Sequence, residues 1–199
     1  LKGLNALASG PGDINVEPSG DEQLTKGPAY QEAEKLASAE NGDGAWPMYR
    51  HDPARHGAAS CQVSAEPTRQ WSAELGGNLT PPVAAGGRLF VAAKDRCTVY
   101  ALDADAGDVL WRHRTAGRID SPPTVHGGLV LFGSADGNVY CLSASDGELA
   151  WRFRAAPSER RIMVSSRLES AWPVHGSVLV RDGLAYCAAG RSTYLDGGI

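Results

Sequence analysis

The sequence predicts an all-β fold assembled from repeated four-stranded sheets, and three observations predict it. A unit of about 40 residues recurs along the chain, and Gly and Pro are abundant, at 24 and 12 of 199 residues. The apolar residues fall in short runs separated by turn-forming clusters. Gly and Pro set the turns between short strands, so such a composition favours many strands over long helices.

Residues 1–45 stand apart from this pattern. They carry GPGD, EPSGDE and ENGDG, and the chain opens at Leu1 without Met, which makes an internal start the expectation. One short helix is expected over about residues 27–40, where Ala29, Ala33 and Leu36 fall at helical spacing and Pro28 suits a first turn. Alanine buries little area, so the segment reads as a mostly irregular linker or the tail of an upstream domain.

From Trp46 the chemistry changes. A lead-in over 46–80 precedes one unit at 81–121 and a second at 122–157. Trp111 to Trp151, Tyr100 to Tyr140 and Gly107 to Gly147 are each 40 residues apart, while Gly87 to Gly128 is 41, the extra residue lying in the KDRCT turn. Each unit follows a Pro pair, Pro81-Pro82 and Pro122-Pro123. The first strands are expected at Val83–Ala85 and Thr124–His126, and the second at Arg88–Ala93 and Leu129–Ser134. The third are expected at Thr98–Asp103 and Asn138–Ser143, and the fourth at Val109–Thr115 and Leu149–Ala155. Runs such as RLFV and LVLF are continuously apolar, as in strands covered on both faces. Asp136-Gly137 is a tight-hairpin signal. In DADAGD and SASDGE, Asp103 and Ser143 offer a side-chain oxygen to the turn, and Gly107 and Gly147 take positive φ.

An insertion at 158–172 (SERRIMVSSRLESAW) separates the second unit from a third, which starts at 173–199 with HGSVLVRDGLAYCAAG. Gly128 to Gly183 is 55 residues, so about 14 are added there. Self-similarity at this period is the mark of β-propeller blades, in which radial stacking covers both faces of each sheet. About two and a half blades are present, whereas complete propellers have four to eight. The remaining blades are expected from chain beyond DGGI, and exposed edges are expected on the last blade.

The strings ALDADAGDVLW and CLSASDGELAW resemble the A-x-D-x-x-x-G-x-x-x-W motif of the pyrroloquinoline-quinone (PQQ)-like propeller repeats, with Ser143 in place of the motif Asp. The opening WPMYRHDPARHG is similar to the lead-in before the first blade of bacterial members. The resemblance implies that Trp111 and Trp151 sit on outermost strands and dock against the adjacent blade, and burial of Trp71 at a blade contact is expected too. It also implies two kinds of relative. One is the quinoprotein dehydrogenases, eight-bladed enzymes holding PQQ and calcium in the central funnel, often under a disulfide of adjacent cysteines. The other is a propeller lipoprotein that serves as a periplasmic scaffold.

Cys61, Cys97, Cys141 and Cys187 include no adjacent pair and no C-x-x-C, and Cys141 and Cys187 suit buried strand positions. His126 and His175 lie in the similar strings TVHG and PVHG near strands that would line a channel, without a third ligand at metal-binding spacing. No G-x-S-x-G, H-E-x-x-H or G-x-x-x-x-G-K-[ST] motif occurs. Asn78-Leu79-Thr80 is a formal glycosylation acceptor read as chance. No catalytic residue is assigned and no cofactor is expected, PQQ with calcium belonging only to the dehydrogenase alternative. The insertion carries the candidate recognition residues Arg160, Arg161 and Arg167, which would grip acidic groups. Its other reading is a cap, with Ile162, Met163 and Leu168 packed down.

The function expected is a non-enzymatic binding or scaffold module of an extracytoplasmic bacterial protein, with a protein or small-ligand partner at the propeller face. The alternatives are a piece of a PQQ-dependent alcohol or sugar dehydrogenase, and a sensor or fusion protein whose upstream domain ends in 1–45. The formal charge of -4 provides no basic field for nucleic acid. No apolar run approaches the ~20 residues of a membrane-spanning helix.

Overall fold

The computed structural model describes residues 23–39, 41–42, 44–59, 61–62 and 64–191. The GPGD and EPSGDE stretches and the closing DGGI lie outside the described residues. Blade 1 is the antiparallel sheet β2 (Val83–Ala85), β3 (Arg88–Ala93), β4 (Thr98–Asp103) and β5 (Val109–Arg114), in chain order. Blade 2 repeats it with β6 (Thr124–His126), β7 (Leu129–Gly133), β8 (Asn138–Ser143) and β9 (Leu149–Arg154). Both blades carry an irregularity at the same place, after Ala101 in β4 and after Cys141 in β8. The third blade is represented by β12 (Leu179–Arg181) paired with β13 (Leu184–Tyr186).

The sheets stack as a propeller does. The first strands gather at the inside, β2 against β6 and β6 against β12. The wedge between blades 1 and 2 is filled by Phe90, Val99, Ala101 and Trp111 from one side and Val130, Phe132, Tyr140 and Leu142 from the other. Phe90 and Phe132 are essentially sealed from water, and each contributes about 2–3 kcal/mol by burial. A second core joins Leu131, Val139, Cys141 and Trp151 of blade 2 to Val174, Val178 and Val180 at the start of blade 3.

The tryptophans explain the 40-residue period. The Trp111 indole lies over Gly147 of the next blade and donates Nε1–H to Ala144 O at 3.0 Å. Trp71 repeats the contact one blade earlier, over Gly107 with Nε1–H to Ala104 O at 2.9 Å. Trp71 is 40 residues before Trp111, so the lead-in contains an outer-strand position of the same repeat, which the motif strings do not reveal because the residues just before Trp71 do not carry the motif. Trp111 is buried, while Trp71 and Trp151 are half-buried.

The turns differ in how they are held. Asp103 Oδ1 accepts from the amides of Asp105 and Ala106 at 2.9 and 2.8 Å. In blade 2 the Ser143 hydroxyl pairs instead with Ser145 Oγ, and Asp146 Oδ1 accepts from Glu148 N. Serine is too short to span the turn as Asp does, so the carboxylate has moved along the loop.

Residues 23–57 run along the blades. β1 (Leu24–Lys26) pairs antiparallel with β9 as a fifth strand of blade 2. A 3-10 turn (Pro28–Glu32) and α1 (Ala33–Ala37) follow, with Ala29 and Leu36 packed on the blade 2 core. Trp46 then exchanges two backbone hydrogen bonds with Ala84 of β2, and Pro47 O accepts from Val125 N of β6. Among the cysteines, Cys141 is fully buried, whereas Cys187 is exposed beyond β13, against the strand-core placement its sequence context suggests.

Candidate functional site

The insertion is a hairpin. β10 (Arg161–Val164) pairs with β11 (Arg167–Ser170), and Ser165 and Ser166 at its tip take φ of 47° and 63°, the paired left-handed conformation of a two-residue hairpin turn. Its base is locked to blade 2 by Ser170 N to Ala135 O, and Ala171 N to Arg160 O closes the hairpin on itself. The buried Glu169 carboxylate is held by Arg191.

Cross-strand pairing gives the hairpin two faces. Ile162, Val164, Arg167 and Glu169 share one; Arg161, Met163, Leu168 and Ser170 share the other. The first is turned to the protein. Arg167 reaches blade 1 and pairs with Asp95 at 2.8 Å. The second is buried at its base by Ser170 and open toward the tip, where Met163 and Leu168, directly opposite one another, are 70% and 53% exposed. Of the three residues that the cap reading packs down, Ile162 lies on the protein-facing side, whereas Met163 and Leu168 lie on the outward face. The three candidate arginines divide likewise. Arg167 is a clasp, while Arg160 and Arg161 are exposed and outside ion-pair distance of any carboxylate among the described residues.

Asp95 anchors a wider network. It accepts from Asn78 Nδ2 at 2.9 Å and faces Arg118 Nε at 3.7 Å. Arg118 also pairs with Asp120 at 2.9 Å, and Asp120 with His175 Nδ1 at 2.7 Å. The His175 hydrogen bond, opposed by burial and reinforced by Arg118, holds the Asp120 carboxyl below its ordinary value. His126 lies elsewhere, lining a hollow with His51, Asp52 and Arg181. No group of three His, Cys, Asp or Glu able to hold a metal forms among the described residues. The Asn78 side chain is spent on Asp95, and Thr80 is buried.

The innermost backbone edge of blades 1 and 2 is paired with Trp46 and Pro47. Arg118 is shared between Asp120 and Asp95.

Outer-strand arginines escaped the sequence reading although the repeat contains them. Arg112 and Arg152 stand opposite Tyr100 and Tyr140, and Arg114 and Arg154 opposite Thr98 and Asn138. Their 40-residue spacing was the available signal.

A family model described as outer membrane protein assembly factor BamB matches residues 31–196. No curated protein matches. Among solved structures, a quinohemoprotein alcohol dehydrogenase from Comamonas testosteroni is similar at TM-score 0.61 and 19% identity, over 82% of this chain and 27% of that one. A europium-containing methanol dehydrogenase is similar at TM-score 0.57 and 17% identity, over 80% and 29%. BamB from Moraxella catarrhalis matches at TM-score 0.47 and 23% identity, over 60% and 33%. The chain thus spans a third or less of each of these proteins. No helix among the described residues is long and apolar enough to cross a membrane.

Proposed function

This chain belongs to the PQQ-like β-propeller family, through the model described as outer membrane protein assembly factor BamB over residues 31–196, and from that premise we propose that it is a non-enzymatic binding module. It presents a rigid rim to a partner protein or ligand in an extracytoplasmic, periplasmic setting of a bacterium. The observation that carries this reading is the β10–β11 hairpin. It departs from the repeat, is fixed at its base, and holds Met163 and Leu168 out to solvent beside Arg160 and Arg161. A rigid scaffold presenting one aberrant loop is the usual arrangement for recognition, and an apolar pair held in water lowers its free energy by being covered.

The second reading, part of a PQQ-dependent alcohol or sugar dehydrogenase, has the His175–Asp120 pair in its favour, an arrangement able to accept a proton. The test is to add PQQ and calcium to the complete protein and follow thermal unfolding and dye-linked alcohol oxidation. The binding module predicts no shift and no turnover. A clear rise in Tm accompanied by turnover would make the protein an enzyme.

A further inference from the structure

At the base of the hairpin, a cleft of about 90 Å³ is lined by Arg152 and Arg154 of β9, Asp136 and Asn138 of blade 2, and Arg161 and Ser170 of the hairpin. Ala156, Ser158 and Glu159 complete its wall. The charge in it is unevenly spent. Both Asp136 oxygens are occupied, Oδ1 by Asn138 N and Nδ2 and Oδ2 by the Tyr140 hydroxyl at 2.7 Å. None of the three arginines lies within ion-pair distance of a carboxylate among the described residues. Arg154 Nε is buried with no hydrogen-bond partner. A buried guanidinium donor left unpaired is costly, and an anion entering the cleft would relieve it.

Arg161 and Ser170, which wall the cleft, are cross-strand partners and share the outward hairpin face with Met163 and Leu168. The anion-seeking cleft therefore continues into an exposed apolar pair. Phosphate or another small anion would use only the first of these; a peptide with an acidic and an apolar side chain would use both. Resting on the hairpin as recognition element, we propose that this face is the receptor for an acidic segment of a partner protein, with a carboxylate between Arg152, Arg154 and Arg161 and an apolar side chain across Met163 and Leu168.

The test uses the complete protein and a fluorescein-labelled peptide of alternating Glu and Leu, read by anisotropy. Wild type binds, and binding weakens as ionic strength rises from about 0.05 to about 0.5 M. The R154Q/R161Q pair loses about tenfold or more in affinity, the M163S/L168S pair loses a comparable amount, and R181Q on blade 3 is unchanged, with thermal melts checking that each variant folds. Affinities within about twofold of wild type in both paired variants overturn the proposal. So does displacement of the peptide by inorganic phosphate when M163S/L168S binds normally, which would mark a small-anion site. Turnover with PQQ and calcium would instead overturn the binding module itself, whereas failure of peptide binding without turnover removes only this assignment.

Discussion

Gly147 is where the repeat meets hard sterics. Its φ is +76°, and a Cβ there would sit 2.7 Å from Cδ2 of Trp111. Gly86 has a similar backbone, φ +57°, with open space around it. The comparison separates backbone strain from packing. Gly86→Ala should cost about 1 kcal/mol, the penalty of the left-handed conformation. Gly147→Ala should cost about 3 kcal/mol, because the indole must also move. Urea denaturation of both variants measures the difference, and equal losses would mean that the indole contact contributes nothing. At this scale the sequence was readable wherever a residue type has one physical use. Gly107, Gly147 and Trp111 are such residues. Cys97 is not: it takes φ 53° at the position where blade 2 has Gly137 at 89°, and nothing in a cysteine announces a left-handed residue.

The hairpin is held to blade 1 by charge, so acid should loosen it. Asn78 and Arg167 keep the Asp95 carboxyl below the ordinary 3.8, burial opposing them. Asp120 is lowered by His175 first, again against burial. A carboxylate whose folded pKa is depressed adds stability that is present above its unfolded value and lost as pH falls through the folded one. Protection factors for the β10–β11 amides should therefore fall as the pH drops below the ordinary carboxylate value of 3.8, with β7–β8 still protected. R167Q should remove most of that step. Protection unchanged across the range, or lost from β7–β8 equally, would refute a charge-held clasp. The insertion was visible as a break in the period, but its hairpin was not. Ser165-Ser166 lacks the Asn-Gly or Asp-Gly of such turns, and β1 is a three-residue strand of Leu, Thr and Lys whose only cause is the free edge of β9. The cleft arginines were hidden similarly, since what makes them a site is the hairpin that closes over them.

Across the whole molecule, the blades are joined twice, by the wedge of side chains between them and by the segment that crosses them. The 40-residue period discloses the first. The second has no period, and up to residue 45 it reads as an irregular linker or tail, with only a lead-in from Trp46, because a strap borrows its hydrogen bonds from the strands it lies on. Along its course it pairs Leu24–Lys26 with β9, packs Ala29 and Leu36 on the blade 2 core, and ties Trp46 to Ala84 and Pro47 to Val125. The last two span the junction of blades 1 and 2 at their inner strands. Net backbone hydrogen bonds contribute about 1 kcal/mol each, so the three at Trp46 and Pro47 alone come to roughly 3 kcal/mol before the burial of Leu36 is added. The complete protein with residues 23–57 deleted should thus unfold at lower urea than the intact one, and its Val125 and Ala84 amides should exchange earliest. Identical urea midpoints and unchanged exchange at those two amides would mean that the segment lies on the blades without supporting them, and that the wedge between them holds the propeller together unaided.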